Sequence, residues 1–215
     1  MDKPFFSVIV PEHNSAEFMR PGLDSIKNQD FKDYELIVVC DSCTDNTAEI
    51  AREYTDIVIE VNYGRAGLTR NAGLDIARGE WILFMDDDDW FLHEYAFGML
   101  AQALNELPSE VDVLAFSFIW KHRGYAVNLP DKMWIAIWNK VWRRSFIGDT
   151  RFPDWKHSDD VGWANELHPK AHVIYWDMPF YYYNFLRTGS ISQKLKDGEL
   201  KPISIAAGGE EVDQV

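Results

Sequence analysis

The pattern that most restricts what this chain can fold into is an alternation. Apolar runs at residues 5–11, 34–40, 56–61 and 80–85 have strand length, and most are too uniformly hydrophobic for a strand with one wet face. Between them, residues 17–29 carry Phe18, Met19, Leu23 and Ile26 at helical spacing. Residues 66–77 read as a second helix, with Gly64 before it and Gly79 after it. A further helix is expected to open at Asn46, where Glu49 three residues on gives the spacing of a capping box. Buried strands alternating with helices over short connections describe an α/β fold, a mostly parallel sheet flanked by helices. Ligands of such sheets sit beyond the carboxyl ends of the strands. Three polar segments fall there: Glu12-His13-Asn14, Asp41-Ser42, and Asp86 to Asp89.

The second half is less regular. A helix is expected over 94–107 and a strand over 111–118, followed by many aromatic residues: Trp120, Trp134, Trp138, Trp142, Trp155, Trp163, Trp176 and Tyr181-Tyr182-Tyr183. Trp138 and Trp142, four apart, are expected to pack in the core rather than to form a sugar platform. The expectation is one domain over 1–196, with halves 1–91 and 92–196, and an acidic flexible tail over 197–215.

Charge removes several function classes. The net charge of −14, from 35 acidic and 21 basic residues, disfavours nucleic acid or an anionic membrane as partner. It permits a small anionic ligand held through a divalent cation. No apolar run approaches the ~20 residues of a membrane span, and the N-terminal residues lead straight into a strand without a signal-peptide core. A cytoplasmic protein is expected. Cys40 and Cys43 have C-x-x-C spacing, but two thiolates do not close a structural zinc site, and two reduced cysteines in a strand-end loop are expected.

Asp86-Asp87-Asp88-Asp89 is the segment that most directly suggests chemistry. Like charges this close repel and raise one another's pKa values. A divalent cation relieves the conflict, and carboxylate oxygens suit Mg²⁺ or Mn²⁺ bridged to substrate phosphates. With Asp86 and Asp88 two apart, both can face one ligand; the run also admits a shifted frame, Asp87 and Asp89.

Several blocks together resemble family 2 glycosyltransferases. Residues 7–14 (Ser-Val-Ile-Val-Pro-Glu-His-Asn) look like the family's opening strand and turn, and residues 38–47 like its V-V-D-D-G-S-T-D-x-T segment. Residues 64–73 with 77–82 resemble N-x-G-x-x-x-A-R-N-x-G followed by A-x-G-[ED]-[YW]-I, and residues 84–89 resemble F-L-D-S-D-D. Downstream, residues 138–144, 158–163 and 182–192 look like three segments of polysaccharide-type members.

The resemblance implies a GT-A fold, a nucleotide-binding sheet flanked by helices, and inverting transfer of a sugar from a nucleotide-sugar donor, expected to be a UDP-sugar, to a glycan or other hydroxyl acceptor. By that resemblance Pro11, His13 and Asp41 hold nucleobase and ribose, and Arg70 approaches the base or diphosphate. Asp86 contacts ribose or a metal-bound water, Asp87 lies in the same donor site, and Asp88 ligates Mn²⁺ or Mg²⁺. Asp160 is the general base, and Arg187 and Ser190 close over the diphosphate. Cys40, Ser42 and Cys43 depart from the family's usual Asp, Gly and Ser, which puts that loop's conformation in question.

The residues themselves leave alternatives. Asp41 can instead satisfy loop amides. Asp159 and Asp160 can be the acidic first turn of a helix. Arg70 can pair with Asp75 or Glu80. His157, His168 and His172 lie outside the motifs, and a further histidine ligand from among them has little support. Two rival functions are a sugar nucleotidyltransferase, whose glycine-rich basic loop is missing from residues 11–20, and a non-catalytic nucleotide-sugar or glycan-binding module.

Overall fold

A computed structural model describes residues 3–120, 126–127, 135–184, 187–188, 190–199, 204–205 and 211–212. In chain order the elements are β1 (Phe6–Glu12), α1 (Arg20–Lys27), β2 (Tyr34–Asp41), α2 (Thr47–Ala51), β3 (Val58–Val61), α3 (Ala66–Ile76), β4 (Trp81–Phe84), β5 (Trp90–Phe91) and α4 (Ala96–Glu106). Then follow β6 (Val113–Trp120), β7 (Ala126–Val127), β8 (Lys140–Arg143), α5 (Arg144–Ile147), α6 (Asp159–Leu167), β9 (Val173–Tyr183), α7 (Ile191–Lys196), β10 (Ser204–Ile205) and β11 (Glu211–Val212).

One sheet runs β3-β2-β1-β4-β8-β6-β9-β5, with β7 beside β6. β1 pairs in parallel with β2 and β4, and β2 with β3, as the alternating sequence predicts. Beyond β4 the sheet becomes mixed: β8 is antiparallel to β4 and β6, while β6 and β9 are parallel. The mostly parallel character therefore belongs to the first four strands. Trp134 and most of the expected tail lie outside the described residues; β10 and β11, within it, form an antiparallel pair.

Two helix starts differ from expectation. Residues 15–19 form a turn, with Phe18 N and Met19 N both donating to Ser15 O, so α1 begins only at Arg20. Pro21 sits in its first turn, where a missing N–H costs little. Asn46 does not cap α2 through its side chain; Asp45 Oδ1 accepts from Thr47 N (3.1 Å) and Thr47 Oγ1 instead. A carboxylate one residue earlier has displaced the capping box.

The core fixes α6 to the sheet. Phe84, Trp142 and Trp163 are fully buried, and Trp163 stacks on Phe152 at 4.6 Å and meets Phe84 edge-on. Burial stabilises each such side chain by roughly 1.5–3 kcal/mol. Trp138 and Trp142 are buried as expected.

Candidate active site

The carboxyl ends of β1, β2 and β4 open into a cavity of about 490 Å³, within the usual range for a small-molecule site. Its wall includes Pro11 near the end of β1 and His13 just after it, Asp41 as the last residue of β2, Arg70 on α3, Asp86, Asp87 and Asp88 after β4, and Arg187 and Ser190 from the C-terminal region. Thus nine of the expected site residues share one cavity. Asp160 is not on that wall, but it lies in the first turn of α6, two residues after Ser158, whose φ of 60° is left-handed.

The four aspartates do not continue β4. Asp89 N donates to Asp86 O (3.2 Å), closing a turn. Asp86, Asp87 and Asp88 face the cavity, while Asp89 is 1% exposed and points inward. There it accepts from Tyr181 Oη (2.8 Å) and Asn184 N (2.7 Å), and the same hydroxyl accepts from Asp86 N (3.1 Å). The shifted pair Asp87 and Asp89 therefore does not face one ligand. A Cβ on Gly22 of α1 would lie 2.6 Å from Asp89 O, so only glycine lets the helix approach the turn.

Burial, then the neighbouring Asp88, pushes the Asp87 carboxyl up to about 7. Burial also raises Asp88, against an ion pair with Arg187 at 2.7 Å. Arg187 stands 3.8 Å from Asp87 and 3.8 Å over the Phe18 ring, so the aromatic face holds the guanidinium against the acids. Burial raises Glu12 well above the usual carboxylate range, with Asp87 next in effect; its carboxyl bonds to Ser15 Oγ. The wall carries five carboxylates (Glu12, Asp41, Asp86, Asp87 and Asp88) and five cations (Arg65, Arg70, Lys156, Arg187 and Lys194), but three of the carboxylates are gathered in the turn after β4, and their oxygens suit a hard divalent ion. Among the described residues no three His, Cys, Asp or Glu side chains form a complete cage. Substrate phosphate and water would have to complete the coordination, as is usual for Mg²⁺.

Asp41 is fully engaged. Oδ1 accepts from Ser42 Oγ (2.8 Å), Tyr63 N (2.7 Å) and Gly64 N (2.9 Å), and Oδ2 from Arg65 N (3.0 Å) and Thr69 Oγ1 (2.8 Å). Burial works against the charge, yet these bonds hold its pKa down at about 2. The loop-anchoring alternative describes this geometry, and a nucleobase would have to displace an internal donor. His13 Nδ1 contacts Asp41 O at 2.7 Å, and Asn14, at φ 48°, accepts from Thr44 N (2.7 Å).

Arg70 pairs with neither Asp75 nor Glu80. Arg151 takes Asp75, while Lys3 and Arg143 flank Glu80. Arg70 instead joins Asp159 (2.7 Å) and Asp86 (2.8 Å). Burial first, then Asp159, raises the Asp160 carboxyl to about 6. His157, His168 and His172 are not on the cavity wall. Sequence reasoning missed Phe18, Lys156, Asn184 and Lys194 as wall residues. Phe18 was legible only as a helix position, Lys156 and Lys194 lie outside the matched blocks, and Asn184 lies within the 182–192 block but carries no charge that would mark it.

A mixed α/β sheet flanked by helices, with a crevice at the carboxyl ends of its parallel half, is a GT-A fold. Residues 7–164 match Glycosyl transferase family 2, and the chain belongs to that family. It is 29% identical to EpsH of Bacillus subtilis over 90% of this chain and 64% of that protein. The crystal structure of Staphylococcus aureus TarS 1-349 in complex with UDP-GlcNAc is similar, with a TM-score of 0.76 and 27% identity over 87% of this chain and 60% of that one. Mannosyltransferase PcManGT from Pyrobaculum calidifontis, solved in complex with GDP-Man and Mn²⁺, shares the fold at TM-score 0.69 and 18% identity, over 92% of this chain and 62% of that one. The chain therefore spans less than two thirds of each of these relatives. No helix among the described residues is long and apolar enough to cross a membrane.

Proposed function

We propose that this chain is a metal-dependent inverting glycosyltransferase that moves a sugar from a UDP-sugar to an acceptor hydroxyl on a glycan or similar molecule. The observation that carries the reading is the turn Asp86-Asp87-Asp88, which faces the same cavity as Pro11, His13 and Arg187. The likeness to TarS, solved with UDP-GlcNAc, favours a uridine donor. Residues 1–91 serve the donor and 92–196 the acceptor and the proton transfer, with Arg187 and Ser190 of the second half reaching back to the donor.

Asp88, with Asp86 beside it, would hold Mn²⁺ or Mg²⁺, and that ion would supply charge neutralisation for the departing diphosphate. The chain's own residues do the rest. Pro11 and His13 bound the nucleobase end, with Asp41 fixing the 63–65 loop beneath it. Arg187 and Ser190 approach the diphosphate from the C-terminal region. Asp160 takes the acceptor proton as that oxygen attacks the anomeric carbon from the face opposite the leaving group. A pKa near 6 leaves Asp160 ionised at neutral pH yet more basic than an ordinary carboxylate.

The test is transfer from a panel of UDP-sugars with Mn²⁺, Mg²⁺ or chelator, together with thermal melts in UDP. Asp88→Ala and Asp160→Asn are each expected to lower turnover by at least about 100-fold. Undiminished turnover in either variant overturns its assigned role. UDP binding with neither transfer nor donor hydrolysis would make the chain a binding module.

A further inference from the structure

α3 does more than flank the sheet. Its inner face carries Gly67, Arg70 and Asn71, and all three meet the segment that enters α6. A Cβ on Gly67 would lie 2.9 Å from Asp159 Cβ and 3.0 Å from Phe152 Cβ, so backbone and loop touch directly. Asn71 clasps Phe152 from both sides, Nδ2 donating to Phe152 O (2.9 Å) and Phe152 N donating to Asn71 Oδ1 (2.8 Å). Arg70, with its side chain 10% exposed, spans the remaining gap: Nη1 to Asp159 Oδ2 at 2.7 Å and Nη2 to Asp86 Oδ1 at 2.8 Å. Its guanidinium also faces the Phe152 ring at 5.6 Å.

For stability alone this is a poor arrangement. A buried ion triad loses much of its Coulomb gain to desolvation, and Arg70 Nε is buried with no partner among the described residues. What a planar fork supplies is direction, because it holds two carboxylates at a fixed spacing. Here one carboxylate stands at the end of β4 and the other in the first turn of α6. The fork also separates two adjacent acids: it binds Asp159, whereas among the described residues Asp160 accepts a hydrogen bond only from its neighbour Val161 N (2.9 Å).

We propose that Arg70 and Asp159 are positioning residues that set the first turn of α6 against the donor turn, leaving Asp160 directed to the acceptor. The inference rests on the function proposed above and adds residues that need not touch substrate. It differs from a diphosphate contact by Arg70, which would show in donor affinity.

The experiment compares Asp159→Asn, Arg70→Lys and Asp160→Asn with the wild-type chain by UDP calorimetry and by steady-state turnover of the UDP-sugar that the wild type uses. Asp159→Asn and Arg70→Lys are expected to lower kcat by about 100-fold, the scale of a small misplacement of a reacting group, and to leave Kd for UDP within about threefold. Lysine keeps the charge but cannot span both carboxylates, so no rescue is expected. Should Asp159→Asn fold poorly, Arg70→Lys carries the same test. Wild-type kcat in either folded variant, or weakened UDP binding with kcat intact, overturns the inference alone. Wild-type kcat in Asp160→Asn overturns the proposed base, and the inference with it.

Discussion

Asp41→Asn separates two roles for one carboxylate. If Asp41 anchors the 63–65 loop, the change must cost stability; if it only meets a nucleobase, it costs binding and leaves the free protein's stability unchanged. On folding its pKa is held down from 3.8 to about 2. At about 1.4 kcal/mol per unit, the ionised form is stabilised on folding by about 2.5 kcal/mol. Asp41 is buried but borders the open cavity, so solvent screening makes this figure an upper bound. The folded-state pKa is depressed, so this contribution is complete above the unfolded value and is lost as pH falls from about 4 towards 2. Asparagine also turns an amide NH₂ towards donors, leaving either the backbone N–H groups of Tyr63 and Gly64 or that of Arg65 short of an acceptor. Urea unfolding at pH 7 is expected to show a loss of about 2–3 kcal/mol with an unchanged m value. A loss below about 0.5 kcal/mol, the scale of an ordinary surface substitution, would refute the anchoring account.

On the proposed mechanism turnover should fall as pH drops through about 6, because a protonated Asp160 could not take the acceptor's proton; a kcat–pH profile flat from 5 to 8 would contradict this. Tyr181→Phe removes the hydroxyl shared by Asp89 and Asp86 N, and calorimetric unfolding is expected to show about 1–3 kcal/mol of destabilisation. Gly22→Ala should push the acidic turn away from α1, lowering the melting temperature and weakening Mn²⁺-dependent UDP binding together.

The first half of the fold was legible because β1, β2 and β4 are buried on both faces and read as continuous apolar runs. The position of the acidic turn followed from the end of one such run. β9 was not anticipated as an eleven-residue strand, since its half-exposed first part mixes Ile174, Tyr175 and Asp177 and has no uniform pattern. The Arg70–Asp159 contact bridges 89 positions and depends on a loop path that no local spacing encodes. Asp41 was visible as a site residue, but the five donors that occupy it come from residues 42 and 63–69, which only the folded loop assembles.

The change from parallel to antiparallel pairing falls between β4 and β8. β4 delivers the acidic turn, and the chain after β8 delivers α6, so the two sides of the reaction meet across one short ladder. On the reading proposed here, that seam makes donor choice and acceptor choice separable by recombination. A graft that keeps residues Trp81–Phe84, the register of β8 and the crevice contacts of Tyr181, Asn184, Arg187 and Ser190 could exchange the rest of the acceptor half between family members while the nucleotide crevice stays intact.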